Sequence, residues 1–140
     1  MKALIIHEDG RMAVDETMPF EPHDQLEWLW GQVGGYITPI RAADLPSVTV
    51  MCDEEGMLRG RLRNHAAELF VGRAPVVGTV VVLGDQRGTT WADVPNEAVS
   101  RAGAIISLHP QKFRWDPKRV TAEVDRTALP DTHYGPPEEV

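Results

Sequence analysis

The stretch VVGTVVVLG, residues 76–84, limits what this chain can become more than any other. It is almost continuous valine, rich in the β-branched side chains that pack well on a pleated surface. A strand open to water on one side would alternate apolar with polar residues, and this one does not. It therefore reads as a strand covered on both faces, which obliges the rest of the chain to supply flanking layers.

The neighbouring segments supply them. KALII, residues 2–6, is a short apolar run bounded by HEDG and reads as a buried first strand. A loop containing Pro19 and Pro22 follows. Leu26, Leu29, Trp30 and Val33 then recur at i, i+3, i+4 and i+7, one stripe of an amphipathic helix with Asp24 as its N-cap and Gly34 and Gly35 ending it. Trp28 lies off that stripe and is expected at the surface, where it suits a ligand or partner contact. YITPI, residues 36–40, resumes as a strand in which Pro39 marks an edge or an end. SVTVMC, residues 47–52, alternates and reads as a half-buried strand. A second helix carries Leu62, Ala66, Leu69 and Phe70 along one side, the valine strand comes next, and a third helix is predicted near residues 96–107.

Up to the valine strand the order is β-α-β-β-α-β, that of the split βαβ or ferredoxin-like arrangement, in which two helices can cover one face of a four-stranded sheet. The succession does not by itself set the strand order. The chain reads as a single α+β domain over residues 1–109, with a C-terminal helix. A polar, proline-containing tail over residues 110–140 is expected to be extended or partly disordered.

Composition narrows the partners. A length of 140 residues with 42% hydrophobic side chains suffices for one core. A net charge of −7 opposes general affinity for a polyphosphate backbone, so no duplex DNA partner is expected. The lone cysteine, Cys52, excludes an internal disulfide and a thiolate-rich zinc cluster, and its place beyond Val48 and Val50 reads as a small core position. The apolar run at the N-terminus is too short for a signal-peptide core, and the valine run is far below the roughly 20 residues of a membrane helix. A cytoplasmic protein with no membrane partner is the expectation.

The segment MCDEEGMLRGRLRNHAAEL, residues 51–69, concentrates the charged chemistry. DEEG after a strand predicts a tight turn, with Gly56 supplying a positive φ. Catalysis by Asp53 and Glu55 would need environments that split their pKa values, which adjacent turn residues seldom obtain. His65 and Glu68 share a helix face, yet no third metal ligand accompanies them and no HExxH occurs. No metal site and no cofactor is implied. The arginines make the stronger case: residues 59–73 carry a local balance of +3 in a chain of −7. In an extended segment Arg59, Arg61 and Arg63 would project from one side, and Asn64 is a good N-cap for the helix after them. Arg59, Arg61, Arg63 and Asn64 are thus the candidate ligand site, an anion cradle at a helix start. The plainer alternative pairs these arginines with Asp53, Glu54 and Glu55 on a solvated face. Phosphate-loop, nucleophile-elbow and dinucleotide fingerprints are absent.

At VGGYITPI, CDEEGMLRGRLRNHAAELF and VVGTVVVLG the chain resembles a phage and mobile-element domain family of unknown function, family 3846. Residues 33–37, 53–56, 64–67 and 77–82 fill its helix-to-strand junction, acidic turn, helix opening and valine strand, with His65 where an arginine is common. The resemblance spans roughly residues 2–99. It implies a small phage accessory protein acting in the cytoplasm of an infected bacterial host. Three functions are open on this sequence. The first is a non-enzymatic interaction protein, with a homo-oligomer compatible, that binds a host protein or small ligand. The second is a nucleotide-binding module built on the arginine cluster, and the third is a small hydrolase or transferase using Asp53, Glu55 or His65.

Overall fold

The computed structural model describes residues 1–42 and 44–116. Its elements run β1 (Ala3–Ile6), β2 (Arg11–Asp15), α1 (Pro22–Val33), β3 (Ile37–Ile40), β4 (Thr49–Asp53), α2 (His65–Val71), β5 (Val80–Leu83), β6 (Gln86–Arg87), β7 (Thr90–Trp91), α3 (Asn96–Leu108) and β8 (Arg114–Trp115). Six strands form one sheet in the order β3-β4-β5-β1-β2-β8, and β6 pairs with β7 as a separate ribbon. The fold is α+β and forms one domain, as the succession of elements predicts.

The valine strand lies near the centre of the sheet, antiparallel to both β4 and β1. Alternate residues face opposite layers. Leu4, Val14, Val50 and Val82 stand in one row and join Ala66, Ala67 and Phe70 of α2 and Ala98, Ala102 and Ile106 of α3 in a single cluster. Ile5, Met51 and Val81 stand on the other face with Leu29 and Val33 of α1. Two helices thus cover one face and one helix covers part of the other.

The ferredoxin-like arrangement is not the one observed. In it β1 and β3, joined by α1, would run parallel with another strand between them. Here β2 folds back on β1 as a hairpin and reverses the chain before α1, so β3 ends antiparallel to β1 at the far edge of the sheet. Gly10, with φ of 96°, closes that hairpin, and the amide of Arg114 donates to its carbonyl at 3.0 Å. β8 then runs parallel to β2 with Met12 opposite Trp115. Trp115 is fully buried, so this stretch beyond residue 109 packs into the core. Residues 117–140 lie outside the described residues.

Three other expectations shift in detail. α1 begins at Pro22 with Glu21 as N-cap, three residues ahead of Asp24, because proline fits the first helical position without losing a hydrogen bond. Leu62 falls in the loop ahead of α2 and is exposed, and on the helix Leu69 is exposed while Ala66 and Phe70 are buried. Trp28 is half-buried against the α1-side cluster. Gly34 ends α1 in the left-handed conformation, φ 87°, as expected. Pro39 does lie on an edge strand. The Glu54 amide donates to the Tyr36 carbonyl, so by alternation the polar groups of Pro39 face away from β4, where a missing N–H costs no ladder bond. No helix among the described residues is long and apolar enough to cross a membrane.

Candidate functional site

The loop from β4 to α2 is coiled, not extended. Amide-to-carbonyl bonds run from Arg59 to Glu55, from Gly60 to Met57 and from Arg61 to Gly56. Gly56 takes no positive φ; that role falls to Gly60, at 70°. Gly56 is required for room, since a Cβ there would stand 2.8 Å from a methyl of Val77.

Coiling sends the three arginines to different places. Arg61 Nε donates to Asp53 Oδ2 at 3.1 Å and its Nη2 donates to the Gly34 carbonyl at 2.8 Å, which ties the end of α1 to the end of β4. Arg59 reaches Asp53 at 3.5 Å and Glu55 at 3.4 Å. Arg63 forms a two-pronged pair with Glu68, Nε to Oε2 at 2.9 Å and Nη2 to Oε1 at 2.8 Å. All three arginines are therefore engaged with carboxylates of the same fold.

Asn64 caps α2 as its position implies, its Oδ1 accepting from the Ala67 amide at 3.0 Å. It also does more than a cap. Its Nδ2 donates to the carbonyls of Ile6 at 2.9 Å and Gly78 at 2.8 Å, and the residue is wholly buried. Both Nδ2 hydrogens are spent on these bonds.

Asp53 is the hub of the segment. Burial pushes its carboxyl up, but the Glu55 amide at 2.9 Å and Arg61 donate to it, and the charges of Arg59 and Arg61 add to this; together they hold it below its ordinary value. Gly35 lies close against this carboxylate: a Cβ there would stand 3.0 Å from Asp53 Oδ1 and would press on it. Each signature segment of the sequence takes part in one structural knot: the helix end at 34–35, the acidic turn, the Asn64 cap and the start of the valine strand.

What the knot leaves at the surface is apolar. Met57 is 70% exposed, Leu58 87% and Leu62 69%, all in this loop. Three large hydrophobes are thus exposed within six positions of a loop that ion pairs hold from within.

Beside the knot lies a cleft of about 840 Å³ between α2, the β1–β2 turn and the segment after α3. His65 opens onto it with Nδ1 3.3 Å from Glu68 Oε1. His109, edge-on to Phe113, lies on the opposite side with Lys112, and Arg73 adds a cation. Arg63 lowers Glu68 most, burial opposes it, and the Val76 amide lowers it further, leaving its carboxyl at about 2. A His held by a carboxylate can serve as a general base, but no serine, threonine or cysteine lines this cleft to act as nucleophile. No group of three potential metal ligands occurs among the described residues. Cys52 is half-buried, its Sγ 3.6 Å from the Thr38 carbonyl, and burial raises its thiol.

Glu68 sets a pH dependence. Its carboxyl is depressed from an ordinary 4.5 to about 2 on folding, so its contribution is complete above about pH 4.5 and is lost as pH falls toward 2. Because Arg63 is half-exposed and water screens the pair, the contribution is about 1–2 kcal/mol. Urea titrations from pH 6 to pH 2.5 should show Glu68→Gln losing less stability than the parent over this window, by about that amount. Parallel curves would contradict the pairing.

Comparison with known proteins adds a family and a fold. The family described as "Domain of unknown function (DUF3846)" matches residues 1–106. No curated protein matches the chain's sequence. Among solved structures, the crystal structure of the small RNA methyltransferase HEN1 is similar with a TM-score of 0.50 and 15% identity, over 73% of this chain and 16% of that one. The chain therefore spans under a fifth of that protein, and the likeness is one of fold alone.

Proposed function

The chain belongs to the DUF3846 family of domains of unknown function, and from that premise we propose that it is a non-enzymatic binding module that docks on a partner protein through the apolar tip of the loop between β4 and α2. The observation that carries this reading is the exposure of Met57, Leu58 and Leu62 on a loop whose arginines brace it from within. Ordering a loop before contact spares the partner complex that entropy, and large apolar side chains held rigid make effective anchors. The family resemblance supplies the setting, a phage accessory protein meeting a host protein in the bacterial cytoplasm.

The arginine cluster fits this reading as scaffold. A nucleotide bound by Arg59, Arg61, Arg63 and the cap at Asn64 would have to displace Asp53 and Glu68 from pairs already formed, and no Nδ2 hydrogen of Asn64 is free for it. A hydrolase or transferase centred on His65 has the cleft in its favour, but no serine, threonine or cysteine lines it.

Leu58→Asp tests the docking surface. The side chain is exposed, so stability should change by no more than about 0.5 kcal/mol. Affinity capture from bacterial lysate, run in parallel with parent and variant, should retain a protein that the variant loses. Identical retained sets, or none, would overturn the proposal.

A further inference from the structure

We propose that the groove between α1 and the β6–β7 ribbon is a mononucleotide-class site, taking an aromatic ring that carries a phosphate group. The groove, about 780 Å³, lies on the opposite face of the sheet from α2 and α3, where a single helix leaves strands β3 and β4 partly uncovered. That volume is within the range of small-ligand pockets. The site is separate from the docking loop, and this inference does not rest on the docking reading.

The floor is apolar, formed by Ile37, Pro39 and Met51. Trp91 forms a wall: its ring packs partly against the α1-side cluster and lines the groove. Its backbone is fixed by the fully buried Gln25, whose Oε1 accepts from the Trp91 amide at 2.9 Å while its Nε2 donates to the Trp91 carbonyl at 3.2 Å. A glutamine buried in α1 to hold a two-stranded ribbon in place is a preorganising device, since the ribbon makes no ladder with the main sheet. A held indole offers a stacking face to any planar base.

Charge supplies the second half of the site. Arg41, just past β3, and Arg87, in the ribbon, both line the groove, and neither has a carboxylate partner among the described residues. Arg59, Arg61, Arg63 and Arg101, by contrast, are each paired. Guanidinium forks without partners beside an aromatic wall match a phosphate joined to a ring. Asp85, the one acidic residue lining the groove, can accept from a ribose hydroxyl or a base N–H.

The test uses the full chain labelled with nitrogen-15 and titrated with adenosine and uridine monophosphates, the matching nucleosides and inorganic phosphate. Of the four indole signals, that of Trp91 should shift and saturate with the monophosphates. The nucleosides and phosphate alone should bind at least tenfold more weakly. Arg41→Ala and Arg87→Ala should each weaken the monophosphates by about ten- to a hundredfold, the cost of a lost charge-assisted contact. Trp91→Leu, which keeps the backbone bonds to Gln25, should weaken them as well. Arg114→Ala, on β8, should leave affinity unchanged. Absence of saturation below millimolar nucleotide, or affinity indifferent to both groove arginines, would overturn the site. Binding of single-stranded oligonucleotides without binding of monophosphates would overturn the ligand class.

Discussion

Replacing Asn64 with alanine should cost about 3–5 kcal/mol and lower the melting temperature by about 10–20 °C, while leaving the exposed loop chemically unaltered. The size follows from what one side chain holds. Its amide nitrogen satisfies the carbonyls of Ile6 at the end of β1 and Gly78 at the entry to β5, and its oxygen satisfies the Ala67 amide at the start of α2. None of these groups can turn to water when the side chain is removed, because the residue is fully buried. A buried polar group left without a partner costs about 1–3 kcal/mol, and the three losses overlap because the cavity relaxes once. Asn64→Asp separates bonding from space: it preserves volume but turns an acceptor toward two carbonyls, and should be about as damaging at neutral pH. Thermal and urea melts of both variants measure the effect. Losses under about 1 kcal/mol would mean that the Asn64 bonds do not hold the elements together.

Much of the scaffold was legible because the residues concerned act locally. Valine density marks β5, left-handed glycine ends α1 at Gly34, and the side chain of Asn64 caps α2 through a bond three residues away. α3 runs one residue beyond its predicted end. The elements missed are those whose stability comes from afar. β2 has only Met12, Ala13 and Val14 as apolar residues and becomes a strand because β1 and β8 flank it; Asp9-Gly10 ahead of it was the available hairpin signal. β8 is two residues long, and the burial of Trp115 against the α2–α3 layer holds it, a contact invisible to periodicity. The hairpin through β2 reverses the directions of β3 and β4 relative to β1, which is why the ferredoxin-like order could not follow.

The candidate site was legible in composition and not in direction. Alternating arginines suggested one face, but alternation only has that meaning in an extended chain, and hydrogen bonds spanning three to five residues coil this one. Arg63 finds Glu68 within the next helix, a pairing that spacing along α2 alone does not disclose. The groove gave less signal still. Arg41, Arg87 and Trp91 are separated by up to fifty positions, and only the Gln25 clamp brings the ribbon to α1.

Arg61→Ala should cost about 2–4 kcal/mol and, without touching any partner, should weaken docking through the loop tip. Asp53 carries a side chain that is only 1% exposed, and Arg61 is its best cationic partner. Removing one member of a buried pair strands the other's charge, which is worse than never having buried it; Arg59, at 3.5 Å, offsets part of the loss. The same substitution releases the Gly34 carbonyl and with it the link between α1 and β4. Asp53→Ala combined with Arg61→Ala removes the stranded charge, so the double variant should be less unstable than the sum of the singles by about 1–3 kcal/mol. Hydrogen exchange supplies the link to function: amides of Glu55 and Arg61, which close the coil, should exchange faster in Arg61→Ala while those of β5 change only with global stability. Additive energies, or a loop no faster to exchange, would break the chain of reasoning that makes these arginines the brace of an apolar docking tip.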